Sequence, residues 1–247
     1  MTANDFGGSP RRGTAPAGAL TRAGILRLAT LAGVCVALLS CSEEPSCARF
    51  DDVLTPAAVT NPDGLPYPST DIGLRPASAS RPGQHAPNFA FHGYLGARLD
   101  ADLSLISLAD FYDPSGKRNR LLHLMMAAMW CPKSILQTDE MARVVPSLHA
   151  EGLVVVQVLI HGPSRNAEPS TCDIERWIQA HQIGHTVAID AGGQRLSQHM
   201  TITGVPWNAL IDTRTMEVID AGVGAPVDYE QTVRHALRWL DEHPVLP

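Results

Sequence analysis

The sequence predicts an α/β fold with a central mixed sheet flanked by helices. Two apolar runs of strand length, Leu121–Trp130 and Leu153–Ile160, stand on either side of a segment with helical spacing from about Lys133 to His149. A strand, a helix and a second strand in this order form a βαβ unit with parallel strands and a right-handed crossover. A later strand ending at Asp212 and the segment Met216–Ala221 flank a turn, which indicates an antiparallel hairpin.

The remaining elements follow from caps and periodicity. Ser170-Thr171-Cys172-Asp173 has the form of a capping box and predicts the start of a second helix. Thr186–Ile189 is a short β-branched strand after that helix. Asp228 and Gln231 can cap a final helix. The central helix and the final helix each carry an apolar stripe, at Ile135, Leu136, Met141, Val144, Val145 and Leu148, and at Val233, Ala236, Leu237 and Leu240.

Cys131 is the candidate nucleophile of the chain. It lies in Trp130-Cys131-Pro132-Lys133-Ser134, between a buried strand and a helix start. The thiolate is the attacking form of cysteine, and the unpaired N–H groups of a helix N-terminus favour it. Pro132 suits the first position of a helix, since that residue needs no N–H. The alternative is an inert buried cysteine at a strand end.

From about Pro87 to Pro244, the sequence resembles the redoxin/TlpA-like branch of the thioredoxin superfamily. Five landmarks occur in the family order: Ala86-Pro87-Asn88-Phe89, Ile106–Asp110, Trp130-Cys131-Pro132, Leu153–Ile160, and Gly204-Val205-Pro206 with Leu210-Ile211-Asp212. The resemblance implies a thioredoxin-like fold. It also implies that Pro206 is a cis-proline beside Cys131 that presents backbone groups to a bound peptide.

The same resemblance implies a substrate groove around the cysteine, and it exposes two departures. The groove residues that it implies are Trp130, Pro132, Lys133, Val205, Pro206 and Trp207. Ser134 stands where a second, resolving cysteine would complete Cys-x-x-Cys, so ordinary dithiol catalysis is not available; its hydroxyl could hydrogen-bond the Cys131 thiolate. Trp207 replaces the small hydroxyl residue usual after the cis-proline, which alters the groove.

Three cysteines follow position 41: Cys47, Cys131 and Cys172. Cys172 lies near the start of the second helix, after a loop that shares a sheet edge with Cys131, so it could resolve mixed disulfides in place of Ser134; the favoured alternative is an unpaired loop cysteine. Cys47 is either a surface thiol or a partner of another cysteine. Cys131, Cys172 and His161 could in principle form a soft-metal site. Without a close cysteine pair at Cys131, we expect no metal and no cofactor.

The N-terminus predicts a bacterial lipoprotein. Four arginines precede an apolar stretch, Leu28 to Ser40, which has the length of a signal peptide and is too short to span a membrane. Leu38-Leu39-Ser40-Cys41 resembles a lipobox, in which Cys41 is acylated and becomes the first mature residue. A plain signal peptide is the alternative. Ser42 stands where an aspartate would retain the protein at the inner membrane, which favours the outer membrane, facing the periplasm.

The predicted organisation is therefore a lipoprotein signal peptide at 1–41, a tether at 42–86 and a thioredoxin-like domain at 87–247. The tether is rich in proline, with eight prolines from Pro45 to Pro87, and has no helix-length apolar pattern. Residues 1–41 contain four Arg and one Asp, so the rest of the chain holds 15 basic and 24 acidic residues, a net charge of −9. An acidic domain without a basic cluster is a poor candidate for nucleic acid binding.

These patterns predict a membrane-anchored thiol-disulfide exchange protein that works through one nucleophilic cysteine. Its partners would be a protein disulfide or mixed disulfide, a thiol reductant and the membrane. The second hypothesis is a redox-inactive scaffold of the same fold that binds a peptide or protein beside Pro206 and Trp207. The third is a peroxidase-type redoxin, which is weakened by the absence of a Thr-x-x-Cys arrangement ahead of Cys131.

Overall fold

A mixed sheet forms the centre of the protein. The computed structural model describes residues 47, 56–68, 83–197 and 203–245. Within these residues, the strands are Ala90–Tyr94 (β1), Ser104–Ser107 (β2), Leu121–Ala128 (β3), Leu153–His161 (β4), Thr186–Ile189 (β5), Trp207–Asp212 (β6) and Glu217–Val223 (β7). The seven strands pair in the order β2-β1-β5-β4-β3-β6-β7. The predicted mixed sheet is confirmed.

Three helices cover one face of the sheet, and shorter segments cover the other. The helices of the described residues are Pro132–His149 (α1), Thr171–His181 (α2), Gln194–Ser197 (α3) and Tyr229–Glu242 (α4). Buried side chains of α1, α2 and α4 form one apolar cluster with the sheet. The opposite cluster contains Leu196 of α3, the 3-10 turn Leu108–Phe111, and three side chains from before β1, Tyr67, Ala86 and Phe89. The predicted fold class is thus confirmed.

The position of β3 decides where Cys131 lies. Strand β3 is parallel to β4 on one side and antiparallel to β6 on the other, and all of its residues are buried. It ends at Ala128, two residues earlier than predicted, because Met129 and Trp130 form the turn into α1. The carboxyl ends of β3 and β4 therefore meet at one edge of the sheet, together with the start of β6.

The tether interpretation does not hold for residues 56–68 and 83–86, which pack against the domain. The Ala58 N–H donates to Ser107 Oγ at 2.9 Å, and the Tyr67 hydroxyl donates to the Ala86 carbonyl at 2.7 Å. Gly83 and Ala86 donate their N–H groups to the carbonyls of Val218 and Met216, at the edge of β7. The predicted boundary at residue 87 therefore lies inside a packed region.

The predicted signal peptide and the acylation site at Cys41 lie outside the described residues. Among the helices of the part that the structure describes, none combines the length and the apolar character that crossing a membrane requires. The membrane attachment predicted from Leu38-Leu39-Ser40-Cys41 stays a prediction.

Candidate functional site

Cys131 caps the N-terminus of α1. Its backbone is extended, with φ −88° and ψ 115°, and its side chain makes no capping hydrogen bond to the helix. The Cys131 N–H donates to the Ala128 carbonyl at 3.0 Å, and the Cys131 carbonyl accepts from the Ile135 N–H at 3.0 Å. The first α1 residue is Pro132, as predicted. The sulfur is thereby attached at the positive end of an 18-residue helix, where an anion is stabilised.

The sulfur contacts the residue before Pro206. Cys131 Sγ donates to the Val205 carbonyl at 3.4 Å, and the Val205–Pro206 peptide bond is cis, as the resemblance implies. The Cys131 residue is 7% exposed, and it carries a free thiol. A substrate disulfide must therefore approach through the gap between the α1 N-terminus and the Val205–Pro206 segment.

Ser134 points towards the sheet. It is fully buried, and its Oγ accepts a hydrogen bond from the Ala128 N–H at 3.4 Å. Its carbonyl accepts from the Thr138 hydroxyl at 2.8 Å. Among the described contacts, the Ser134 hydroxyl bonds to the Ala128 N–H and not, as the sequence predicts, to the Cys131 sulfur. Ser134 instead ties the first turn of α1 to the end of β3.

The predicted groove residues fall into three environments. Pro132 and Lys133 are exposed beside Cys131, whereas Val205 is half-buried and Pro206 is buried. Trp207 is 3% exposed and packs in the core on the face opposite α1. The placement of Trp207 in the groove is therefore wrong: it is the first residue of β6, and side chains of successive strand residues point to opposite faces.

Trp130 forms the other flank of the site together with the loop after β4. The Arg165 guanidinium lies 4.5 Å from the centroid of the Trp130 ring, and the His161 ring lies 6.3 Å away. The Met129 N–H donates to the His161 carbonyl at 3.2 Å, which holds this loop against the turn before Cys131. An exposed cation over an indole face contributes about 0.5–1 kcal/mol. The loop therefore packs on the residue next to the nucleophile.

Cys172 is bonded to Cys47. The two sulfurs form a disulfide that joins positions 125 residues apart, with α-carbons separated by 5.2 Å. The favoured interpretation of Cys172 as an unpaired loop cysteine is therefore wrong, and of the two alternatives for Cys47 it is the pairing partner that occurs. Any resolving role for Cys172 requires that this bond is first reduced.

A buried polar network links β3, α1 and β6, and the sequence analysis missed it. His123 Nε2 lies 2.8 Å from Asn208 Oδ1, and His123 Nδ1 lies 3.0 Å from the Tyr229 hydroxyl. Gln137 Nε2 donates to Asn208 Oδ1 at 2.6 Å, and Asn208 Nδ2 donates to the Gly224 carbonyl at 2.9 Å. Since the Gly224 N–H donates to the Pro206 carbonyl at 2.7 Å, the network reaches the cis-proline.

A second set of buried hydrogen bonds joins α1 to β4. Gln157 Nε2 donates to the Thr138 hydroxyl at 2.6 Å. Gln157 Oε1 accepts from Trp177 Nε1 at 3.4 Å and lies 3.3 Å from His185 Nε2. Because the indole N–H can only donate, the Gln157 amide has a fixed orientation and His185 carries its proton on Nε2.

Burial controls the protonation of both histidines. Desolvation lowers the pKa of His123 to about 4, opposed by the hydrogen bond to Asn208. Desolvation, with a smaller contribution from His123, lowers the pKa of His185 to about 3. Burial also raises the pKa of the Tyr229 hydroxyl, so that this group stays protonated and can donate to His123. Both imidazoles are therefore neutral at pH 7.

Over the described ranges, no group of three or more His, Cys, Asp or Glu side chains is arranged to hold a metal ion. The soft-metal alternative at Cys131, Cys172 and His161 loses one ligand in this state, because Cys172 is in a disulfide. The chemistry that the site offers is that of one thiol at a helix N-terminus.

The comparisons with known proteins support the fold. No protein-family model matches this chain, and no curated protein does. A candidate thiol:disulfide interchange protein DsbE from Chlorobium tepidum is 24% identical, with a TM-score of 0.50 over 64% of this chain and 98% of that chain. An uncharacterised conserved protein from Geobacillus kaustophilus is 16% identical, with a TM-score of 0.54 over 68% of this chain and 86% of that chain.

These similarities are to structures below 25% identity, so they concern the fold. The fold that they share with this chain spans about two thirds of it, 64% in one case and 68% in the other. The chain has a thioredoxin-like fold.

Proposed function

We propose that this protein exchanges disulfides through Cys131 as its single nucleophile. One observation carries the proposal: the Cys131 sulfur lies at the N-terminus of α1, 3.4 Å from the carbonyl that precedes the cis-proline. The Cys131 thiolate attacks one sulfur of a substrate disulfide, forms a mixed disulfide and releases the other sulfur as a thiolate. The similarity to the candidate interchange protein of Chlorobium tepidum supports this reaction.

The substrate is a protein disulfide or a mixed disulfide, and a thiol reductant completes the cycle. Pro132 and Lys133 on one side, and Val205 with Pro206 on the other, would line the groove for the substrate chain. Ser134 has no sulfur with which to release the substrate, so the release requires another thiol.

Reaction with glutathione disulfide tests the proposal. The protein used is the fully reduced Cys47→Ser/Cys172→Ser double variant, which keeps Cys131 and lacks both thiols that could remove an adduct. We expect it to gain one glutathione on Cys131, seen by mass spectrometry of peptides, and we expect this adduct to disappear when Cys131→Ser is added as the matched control. Absence of glutathione on Cys131, under conditions that modify the free cysteine of a small peptide, would exclude the exchange function.

The second candidate is a redox-inactive scaffold, favoured by the low exposure of Cys131 and by the serine at position 134. Ser134→Cys separates the two functions. Insulin reduction gained on this single change would mean that the site accepts a disulfide substrate. A variant that folds, contains both thiols and still leaves insulin oxidised would favour the scaffold.

We further propose that acylation at Cys41 holds the protein on the periplasmic side of a bacterial membrane, with the outer membrane favoured. The lipobox-like Leu38-Leu39-Ser40-Cys41 supports this location. Cys41→Ala should move the protein from the membrane fraction to the soluble fraction. Tight membrane association of that variant would mean that something other than a lipid at Cys41 attaches the protein.

A further inference from the structure

We propose that Cys47 and Cys172 form a second redox site that resolves the mixed disulfide on Cys131. This inference rests on the proposed function, since it needs a mixed disulfide at Cys131. The structure contains one free thiol, on Cys131, and one disulfide, between Cys47 and Cys172, among the described cysteines. That is the state in which such a protein is left after it has reduced one substrate disulfide.

The topology brings the two sites to one edge of the sheet. Ala128 of β3 is paired with His161 of β4, so the turn that contains Cys131 and the loop after β4 emerge side by side. The loop packs on Trp130 through Arg165 and ends at Ser170, the N-cap of α2. Cys172 is the second residue of α2. The disulfide is therefore attached to the end of the loop that contacts the neighbour of Cys131.

The two sulfurs of the disulfide differ in their surroundings. Cys47 is exposed, whereas Cys172 is partly buried in the first turn of an 11-residue helix. A helix N-terminus stabilises a thiolate, and a stabilised thiolate is the better leaving group in disulfide exchange. Asp173, which would oppose a neighbouring negative charge, is paired with Arg176 at 3.1 Å. An incoming thiolate should therefore attack the sulfur of Cys47 and release Cys172.

The reaction balances in three exchanges. The Cys131 thiolate attacks a substrate disulfide, forms a Cys131–substrate bond and releases the first substrate thiolate. The Cys172 thiolate then attacks the Cys131 sulfur, forms a Cys131–Cys172 bond and releases the second substrate thiolate. Finally the Cys47 thiolate attacks the Cys172 sulfur, forms the Cys47–Cys172 bond and frees Cys131. The substrate gains two electrons, the Cys47/Cys172 pair loses two, and an external dithiol reduces the pair again.

The second exchange makes a geometric demand. The Cys131 and Cys172 α-carbons must come within roughly 7 Å of each other for the bond to form without strain. The mixed disulfide also has to expose the Cys131 sulfur to Cys172 instead of the Val205 carbonyl that it contacts in this state. A purely structural Cys47–Cys172 disulfide makes no such demand, and it would leave the mixed disulfide on Cys131 in place.

Cys47→Ser is the trapping variant. Fully reduced, full-length protein is mixed with one equivalent of glutathione disulfide without other reductant, quenched in acid and digested. We expect a linked Cys131–Cys172 peptide pair, because the third exchange has no sulfur to complete it. In the matched double variant Cys47→Ser/Cys172→Ser, which has neither thiol of the pair, glutathione should instead remain on Cys131.

The outcomes separate the two proposals. Glutathione retained on Cys131 in both variants, without a linked pair, would overturn the relay and leave the exchange function intact. Glutathione absent from Cys131 in the double variant Cys47→Ser/Cys172→Ser would overturn the exchange function itself. Wild-type protein provides a test that needs no variant to fold. Fully reduced wild-type protein is mixed with glutathione disulfide and quenched in acid at short times, and the Cys131–Cys172 pair should appear before the Cys47–Cys172 pair. Absence of the Cys131–Cys172 pair at all times would also overturn the relay.

Discussion

The two halves of α1 pack against the sheet by different means. The residues buried along the inner face of the helix are Ser134, Gln137, Thr138, Met141, Val145 and Leu148. The three nearest Cys131 are polar and bond to the Ala128 N–H, Asn208 and Gln157. The three farther away are apolar and pack in one cluster with the sheet and the other helices. Hydrogen bonds are directional and apolar contacts are not, so the half that presents the nucleophile is the half whose position is fixed most narrowly.

Low pH should destabilise the polar half of α1 and not the apolar half, and this is the largest effect that we expect. His123 and His185 bond to Asn208 and Gln157, the side chains that hold the polar half of α1. Their pKa values in the folded state, about 4 and about 3, lie below the ordinary value of 6.5. Since the unfolded chain binds these protons first, the free energy of unfolding is highest above pH 6.5 and falls as the pH drops towards 4. At 1.36 kcal/mol per pKa unit, we expect protonation of the two histidines to lower the free energy of unfolding by about 5 kcal/mol between pH 7 and pH 4.5.

Urea unfolding at a series of pH values measures this loss. Replacing either buried histidine with glutamine should flatten the pH dependence, whereas His235→Gln, at an exposed position of α4, should leave it unchanged. If the free energy of unfolding depends on pH as steeply in both buried-histidine variants as in the wild type, then other groups cause the acid sensitivity, not His123 and His185.

Met141→Ala probes the apolar half. Met141 is fully buried, and its truncation removes packed apolar volume and leaves a cavity. We expect the free energy of unfolding to fall by about 2–5 kcal/mol, and by the same amount at pH 7 and at pH 5, since no titrating group is involved. A cost that changed with pH would show that the two halves are coupled.

Gln137→Leu probes the polar half without changing a charge. The leucine cannot donate to Asn208 Oδ1, and it removes the Oε1 that lies 3.3 Å from Asn208 Nδ2. Each lost hydrogen bond costs about 0.5–1.5 kcal/mol, so we expect the loss of both to lower the free energy of unfolding by about 1–3 kcal/mol. Because Asn208 also bonds Gly224 beside Pro206, the rate of glutathione addition to Cys131 should fall as well. Met141→Ala serves as the comparison. It should lower the free energy of unfolding more than Gln137→Leu does, and it should slow glutathione addition to Cys131 less.

The fold was predictable from the sequence because its central strands are buried on both faces. Such strands are continuous apolar runs, as Leu121–Ala128 and Leu153–His161 are, and the caps at Ser170 and Asp228 mark helix starts by local chemistry. Strands β1 and β2 have no such signal: they are four or five residues long, and β2 begins with two exposed residues. Their existence depends on the pairing of β1 with β5, which is distant along the chain.

The position of the candidate site in the fold was predictable from the sequence, but the contacts that surround it were not. The turn at Trp130-Cys131-Pro132 located the thiol at the start of α1 by local rules. The partners of Cys172, Asn208 and Trp207 are set by long-range contacts that leave no local pattern. The apolar spacing also misassigned Leu136, because the inner stripe at positions 134, 137 and 138 is polar and an apolar search skips it.

Leu136→Gln is therefore the most discriminating small change. Leu136 precedes Gln137 in the chain, but it is 68% exposed and the sequence placed it on the buried stripe. Because position 136 faces solvent, the glutamine is hydrated and the free energy of unfolding should change by less than about 0.5 kcal/mol, in contrast to the neighbouring Gln137→Leu. A urea unfolding curve for each of the two variants makes the comparison. A larger loss for Leu136→Gln than for Gln137→Leu would mean that α1 is rotated, with its apolar residue inside, and would remove the polar network that positions Cys131 against Pro206.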